Sequence, residues 1–174
     1  PFFEKRLRDN IRHSLKGLGC RDIRRISGRL LIRLEEGSDR KKITEKLGKI
    51  FGISYFCFAF ECSQDLDAIK KLAWEKIKAR KFSSFRISAR RSRKDYPLKS
   101  QEMNEKIGDF IRKKSRKPVN LDRPGLEISI EIVDKYAFLY FDRIPGLNGL
   151  PVGVSGKAVS LISAGIDSPV AAYK

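Results

Sequence analysis

Between residues 3 and 60 the spacing of apolar side chains switches from helical to strand period, back to helical, and back to strand, which restricts this stretch to a small α/β arrangement. Phe3, Leu7, Ile11, Leu15 and Leu18 recur every three or four residues, with Arg6, Arg8 and Arg12 off the stripe, and Gly17 and Gly19 end the helix. Residues 22–26 and 29–34 then read as two strands joined through Ser27-Gly28, a pair suited to a tight hairpin turn. Ile43, Leu47 and Ile50 mark a second helix, and residues 53–60 a third strand.

The order α-β-β-α-β is that of a ferredoxin-like βαββαβ unit without its first strand. Pro1 rather than Met at the first position agrees with this, and the expectation is a natural protein longer at both ends. An absent strand would leave an unpaired ladder for the rest of the protein or another chain to cover.

A second unit begins near Asp65, which is placed to cap a helix with Leu66, Ile69, Leu72, Ala73 and Ile77 along one side. Strand 84–89 turns Phe85, Ile87 and Ala89 inward, and a basic loop covers 90–99. A helix over about 100–114 buries Met103, Ile107, Phe110 and Ile111. Leu126, Ile128, Ile130 and Ile132 alternate in a strand that pairs with 136–141, and Glu127 and Glu131 on its polar face would repel phosphate. Residues 143–158 hold four glycines and two prolines and read as a connector.

Charge narrows the partner. The chain carries a formal +17, and residues 126–174 contribute none of it, with 4 basic and 5 acidic side chains. Residues 76–117 hold 16 Lys or Arg against 4 acids, a potential suited to a polyanion, with nucleic acid as the leading class. Arg86, Arg90, Arg91, Arg93, Lys94 and Lys99 form one candidate contact group, rich in arginine, which pairs bidentately with phosphate. Arg112, Lys113, Lys114, Arg116 and Lys117 form another, and complementing a helix dipole accounts for only one or two of these charges. Tyr96 is either a stacking ring for an unpaired base or a packing residue.

There is no apolar run of about 18 residues, no signal peptide and no lipidation motif, so the expectation is a cytoplasmic protein with no membrane partner. Cys20, Cys57 and Cys62 lack disulfide or zinc spacing and read as structural thiols; His13 lies on a polar helix face. No hydrolytic triad and no metal cluster can be assembled from these residues.

In KAVSLISAGIDSPVAAYK, residues 157–174, the residues Val159, Leu161 and Ile162 suit a buried parallel strand. Ser163, Ala164 and Gly165 follow as a small-residue loop, and Asp167 or Ser168 can cap a helix with Pro169 in its first turn. The arrangement suits either phosphate binding or plain α/β architecture. Ala164 would be strained by about 1 kcal/mol if its φ were positive.

Ser163, Gly165, Asp167 and Ser168 resemble the SGGxDS signature of the PP-loop ATP pyrophosphatases, with Ala164 where that family has a second glycine. Joined to GLPVG at 149–153 and to the order of elements before it, the chain resembles the N-terminal part of the tRNA 4-thiouridine synthetase (tRNA sulfurtransferase) family. The resemblance implies an α+β chain with a ferredoxin-like domain at 1–62 and an α/β THUMP domain at 63–145. A Gly/Pro linker at 146–157 and the first strand and loop of a PP-loop α/β domain at 158–174 would follow.

It further implies adenylation of a tRNA uridine with ATP and Mg2+, then sulfur delivery from a persulfide on a PP-loop-domain cysteine beyond residue 174, so this chain alone is expected to be inactive. Some members also take part in making the thiazole of thiamine. By position, Leu161 and Ile162 would line the adenine side, and Ser163, Gly165 and Ser168 would contact phosphate. Asp167 would serve adenylation through the metal or by orienting pyrophosphate, or act as a helix cap. The implied partners are the acceptor end of tRNA, the rest of the PP-loop domain, a persulfide donor protein and a second copy. The alternatives are the non-catalytic THUMP-type module of another RNA-modifying enzyme and a basic assembly protein of ribosomal type.

Overall fold

Gly17 and Gly19, at φ 78° and 74°, turn the chain out of α1 (Phe2–Ser14) in a computed structural model that describes residues 2–92, 95–157 and 159–173. Ile11 and, just past the helix, Leu15 are buried against Ile23, Ile43, Leu47, Ile50 and Ile53. Phe3, expected on the same stripe, is 51% exposed, because the apolar cluster under α1 extends only as far as Leu7. Strands β1 (Cys20–Ile26) and β2 (Arg29–Leu34) form the expected hairpin around Ser27 and Gly28, at φ 39° and 75°. Positive φ at both central residues is what a tightly twisted two-residue turn requires. Helix α2 (Arg40–Leu47) is capped by Asp39, which accepts from the Lys42 N–H at 3.1 Å.

The stretch 53–60 is not one strand. Tyr55–Phe56 is β3 and Phe60–Cys62 is β4, and they join different sheets. Apolar periodicity reports which faces are buried; it does not report which ladder a strand enters.

The second unit is a four-stranded sheet in the order β4-β7-β6-β5. Strand β5 (Phe85–Arg91) runs parallel to β6 (Leu126–Val133), while β7 (Tyr136–Tyr140) is antiparallel to both β6 and β4. Helices α3 (Leu66–Ile77) and α4 (Ser100–Ser115) cover one face, burying Ile69, Ala73, Ile77, Met103, Ile107 and Ile111 against alternate residues of the strands. As expected, Asp65 caps α3, accepting from the Ala68 N–H at 2.8 Å.

The opposite face is not a free polar surface. The β1–β2 hairpin leans on it: Ile26 and Leu31 pack against Val133, Phe138 and Tyr136, and Ser27 Oγ donates to Asp134 Oδ1 at 2.6 Å. Glu131, expected on a polar face that would repel phosphate, is instead 7% exposed, and Arg29 Nε lies 2.8 Å from its Oε2.

The Gly/Pro segment is likewise more than a connector. It contains β8 (Ile144–Pro145), paired with β3, and continues with Gly146 N–H donating to Ser54 O at 2.9 Å and Asn148 N–H to Ile53 O at 2.8 Å. Pro151 is buried beside Gly52, and Asn10 Nδ2 donates to Val152 O at 3.1 Å, fastening the segment to α1.

The expected strand at 159–162 is not formed. Val159 and Leu161 are 93% and 91% exposed, since no described strand lies beside them to complete a ladder. Helix α5 (Asp167–Tyr173) follows, with no buried residue.

Candidate nucleic-acid interface and phosphate loop

Strand β5, helix α4 and the parallel strand β6 run out, back and out again. The entry of β5 and the exit of α4 therefore share one end of the unit, and the exit of β5 and the entry of α4 share the other. Sixteen helical residues rise about 24 Å, so the two basic groups legible in the sequence are held apart rather than combined.

At the β5 exit, Arg90 is exposed, and Arg91 donates from Nη1 to Tyr96 O at 3.2 Å. Lys99 precedes α4, its N–H donating to Glu102 Oε2 at 2.6 Å. Arg93 and Lys94 lie outside the described residues. Tyr96 packs: its ring lies against the core under α3 and α4, and its hydroxyl donates to Gln64 O at 2.7 Å. Burial, with Asp65 adding, pushes that hydroxyl above the ordinary tyrosine range.

At the α4 exit, Lys113, Lys114, Arg116 and Lys117 are exposed, and Arg116 closes the helix at φ 56°, its N–H donating to Arg112 O at 2.9 Å. Arg112 pairs with Asp109 at 3.1 Å. Arg86 belongs to this end, and its guanidinium is already committed, to Glu127 Oε2 at 2.6 Å and Leu121 O at 2.7 Å.

The chain contributes further cations here that linear reading did not group with α4. Phe85 N–H to Pro118 O (3.1 Å), Asn120 N–H to Phe85 O (2.9 Å) and Leu126 N–H to Ser84 O (3.0 Å) stitch the α4 tail to the start of β5. Lys78, Arg80, Lys81 and Arg123 thereby join the same end. The signal for them was the parallel crossover itself, once β5-α4-β6 is read as one unit. Arg80 covers the Phe141 ring, its Cζ 3.9 Å from the centroid.

In the small-residue loop, Ser163 N–H donates to Ser168 Oγ at 2.9 Å and Gly165 N–H to Ser163 Oγ at 3.3 Å. The backbone donors that would cradle an anion are thus held by the loop's own hydroxyls. Ala164 is not among the residues with positive φ, so the anticipated strain is absent in this conformation. Asp167 is the first residue of α5 and is exposed; Leu161 and Ile162 are exposed too. No group of three or more His, Cys, Asp or Glu that could hold a metal ion occurs among the described residues.

Burial, with Glu131 adding, pushes the Cys57 thiol up to about 11, and burial also raises Cys20 and Cys62. At pH 8 the Cys57 thiolate fraction is then on the order of a hundredfold below that of an ordinary cysteine. Mass-spectrometric mapping after brief alkylation at pH 8 is expected to find Cys57 the least labelled of the three. Labelling of Cys57 first would contradict its burial.

The THUMP domain family matches residues 65–142, the ThiI ferredoxin-like domain matches residues 1–57, and the family described as thiamine biosynthesis protein (ThiI) matches residues 153–174. The chain carries the N-terminal ferredoxin-like and THUMP region of the ThiI tRNA sulfurtransferase family.

Two curated relatives illustrate the likeness. A probable tRNA sulfurtransferase of Moorella thermoacetica is 38% identical over 174 residues, spanning 99% of this chain and 44% of that protein. One of Thermus thermophilus is 38% identical over 174 residues, spanning 100% and 43%. This ThiI-family chain thus spans less than half the length of these relatives. Among solved structures, a 4-thiouridine synthetase–RNA complex with bound ATP aligns with 99% of the chain and 44% of its own, at TM-score 0.80 and 34% identity. The α+β architecture of the ThiI N-terminal region and the structure agree. No helix among the described residues is long and apolar enough to cross a membrane.

Proposed function

We propose that this chain is the tRNA-binding region of an enzyme that adenylates a tRNA uridine with ATP and transfers persulfide sulfur to make 4-thiouridine. The observation that carries the reading is the set of exposed cations on the THUMP unit of a ThiI-family chain that have no ion pair among the described residues. Arg90, Lys99, Lys113, Lys114, Arg116 and Lys117 are the described contacts of this reading, and Arg93 and Lys94 extend the loop group. Arg86 and Arg112, already paired with carboxylates, act mainly as supports. Such contacts position a substrate on its backbone and leave base identity unread.

In the same reading, the domains run 1–62, 63–145, 146–157 as linker, and 158–174 as the start of the PP-loop domain. Once the rest of that domain lies alongside, Leu161 and Ile162 pack on the adenine side, and Ser163, Gly165 and Ser168 exchange their mutual hydrogen bonds for phosphate. Asp167, the only carboxylate in 157–173, fits a Mg2+ held by one or two carboxylates and the substrate phosphates. Catalysis requires that remaining domain with its persulfide cysteine and a sulfur donor protein, and a second copy is the partner subunit of the same proposal. Cytoplasmic location and a role in thiamine thiazole formation belong to the same proposal.

The test is a competition titration of the chain against tRNA with an intact single-stranded 3′ end, the same tRNA trimmed, and an unrelated RNA duplex, across a range of salt. Preference for the intact end that survives added salt is expected. Equal binding to all three, weakening together, would reduce the interaction to counterion release and reject tRNA recognition by this region.

A further inference from the structure

We infer that the α4 exit end is a phosphate-contact surface for the double-stranded part of the RNA, and that any preference for a single-stranded 3′ end is carried elsewhere on the chain. The inference rests on the RNA-binding reading above and divides its labour.

Lys78, Lys81, Lys113, Lys114, Arg116 and Lys117 are exposed at this end, and none has an ion pair among the described residues. They can meet phosphates without giving up a carboxylate. Two acids at this end are already taken, Asp109 by Arg112 at 3.1 Å and Glu127 by Arg86 at 2.6 Å; Asp122 in the adjoining loop and Asp142, just past the Phe141 ring that Arg80 covers, are exposed there too and are outnumbered by the cations. The β5-exit end differs, because Asp95, Glu102 and Glu105 stand among its cations and Arg91 is engaged with Tyr96 O.

The surface also lacks what an unpaired base needs. Sequence-tolerant grip on single strands comes from bases stacking on exposed aromatic rings. Among the described residues the exposed aromatic ones are Phe2, Phe3, Phe51, Tyr55 and Tyr173, none of them on α4, the loop after it or the loop before β5. Phe82 packs edge-on to Phe85 with centroids 6.2 Å apart, and Phe141 lies under Arg80. The exposed apolar groups that remain, Val119 and Leu121, have no π face. An array of cations without stacking rings suits the regular phosphate rows and 2′-hydroxyls of an A-form stem. Its base is rigid, since Ile107 and Ile111 are fully buried and the tail is bonded to β5.

The test compares the chain with a Lys113→Gln, Lys114→Gln, Lys117→Gln variant, leaving Arg116 in place to close the helix, with melting temperature as the check on folding. Equilibrium binding is measured between 0.05 and about 1 M salt to intact tRNA, tRNA trimmed of its single-stranded 3′ end, and an RNA duplex. The salt slope should fall by about 2–3, with binding on the order of a hundredfold weaker at 0.1 M salt and converging near 1 M. The loss should be equal on all three RNAs, and the intact-to-trimmed ratio unchanged. Wild-type affinity in the variant would overturn the inference and leave tRNA recognition standing; so would a loss confined to the intact tRNA. Failure of the unaltered chain to bind any of the RNAs would overturn both.

Discussion

Arg29→Ala is expected to destabilise the chain by about 2–3 kcal/mol in urea titration, a large effect for a residue whose side chain is 41% exposed. The cost lies in what is left behind. Glu131 sits on the central strand β6 with its side chain 9% exposed, and among the described residues its carboxylate has two partners, Arg29 Nε at 2.8 Å and the Tyr140 hydroxyl at 3.1 Å. Removing the guanidinium strands a buried charge on one neutral hydroxyl. The range stands below the 3–5 kcal/mol typical of fully buried pairs because water reaches Arg29. Adding Glu131→Gln should recover about half of the loss, since the amide carries no charge to desolvate. A single variant within about 0.5 kcal/mol of the parent would mean that Tyr140 and solvent suffice for Glu131.

The same cluster carries a pH signature. Burial first, then Glu131, pushes the Tyr140 hydroxyl above the ordinary tyrosine range, against the lowering influence of Arg143. A raised folded value favours the neutral form, so this contribution is complete below the unfolded value of about 10 and is lost as pH rises through the folded one.

Gly146→Ala is expected to cost about 2–4 kcal/mol, by a different route. A β-carbon there would collide with the Ile53 carbonyl oxygen and lie 2.9 Å from both the carbonyl carbon and Ile53 Cγ2. Backbone cannot swing aside as a long side chain can. Relief requires β8 to lift from β3, which strains the bonds from Gly146 N–H to Ser54 O and from Asn148 N–H to Ile53 O. Gly108→Ala is the control in the same denaturation experiment: it lies inside α4, where a β-carbon would meet only Ile87 Cγ1, at 3.8 Å. There the gain in helix propensity should stabilise by about 0.5–1 kcal/mol. Equal, small effects at both glycines would show that 146–149 is a loose tether instead of a fastened strap.

Readability in the sequence followed the range of the interaction. The hairpin at Ser27-Gly28, the Asp65 cap and the buried stripe Met103, Ile107 and Ile111 were legible because each depends on neighbours within a few residues. The run 53–60 has the pattern of one strand, yet its two halves choose partners near 145 and 138, which local spacing does not encode. The loop Ser163–Ser168 was legible as a motif, but its donors face its own hydroxyls, and Leu161 and Ile162 lie in solvent without a neighbouring strand.

The sequence by itself determined the helices, the hairpin, the cationic excess of residues 76–117 and the small-residue loop Ser163–Ser168, since composition and periodicity act locally. Tertiary structure alone decided how the charges are used. It spent Arg86 on Glu127, buried Glu131 beneath Arg29, parted the two basic groups by the length of α4 and set Lys78 and Lys81 at the same end of the unit as Lys113. Whether a charge meets a carboxylate or water depends on the residues that a parallel crossover and a leaning hairpin carry to its side, and those lie tens of residues away along the chain.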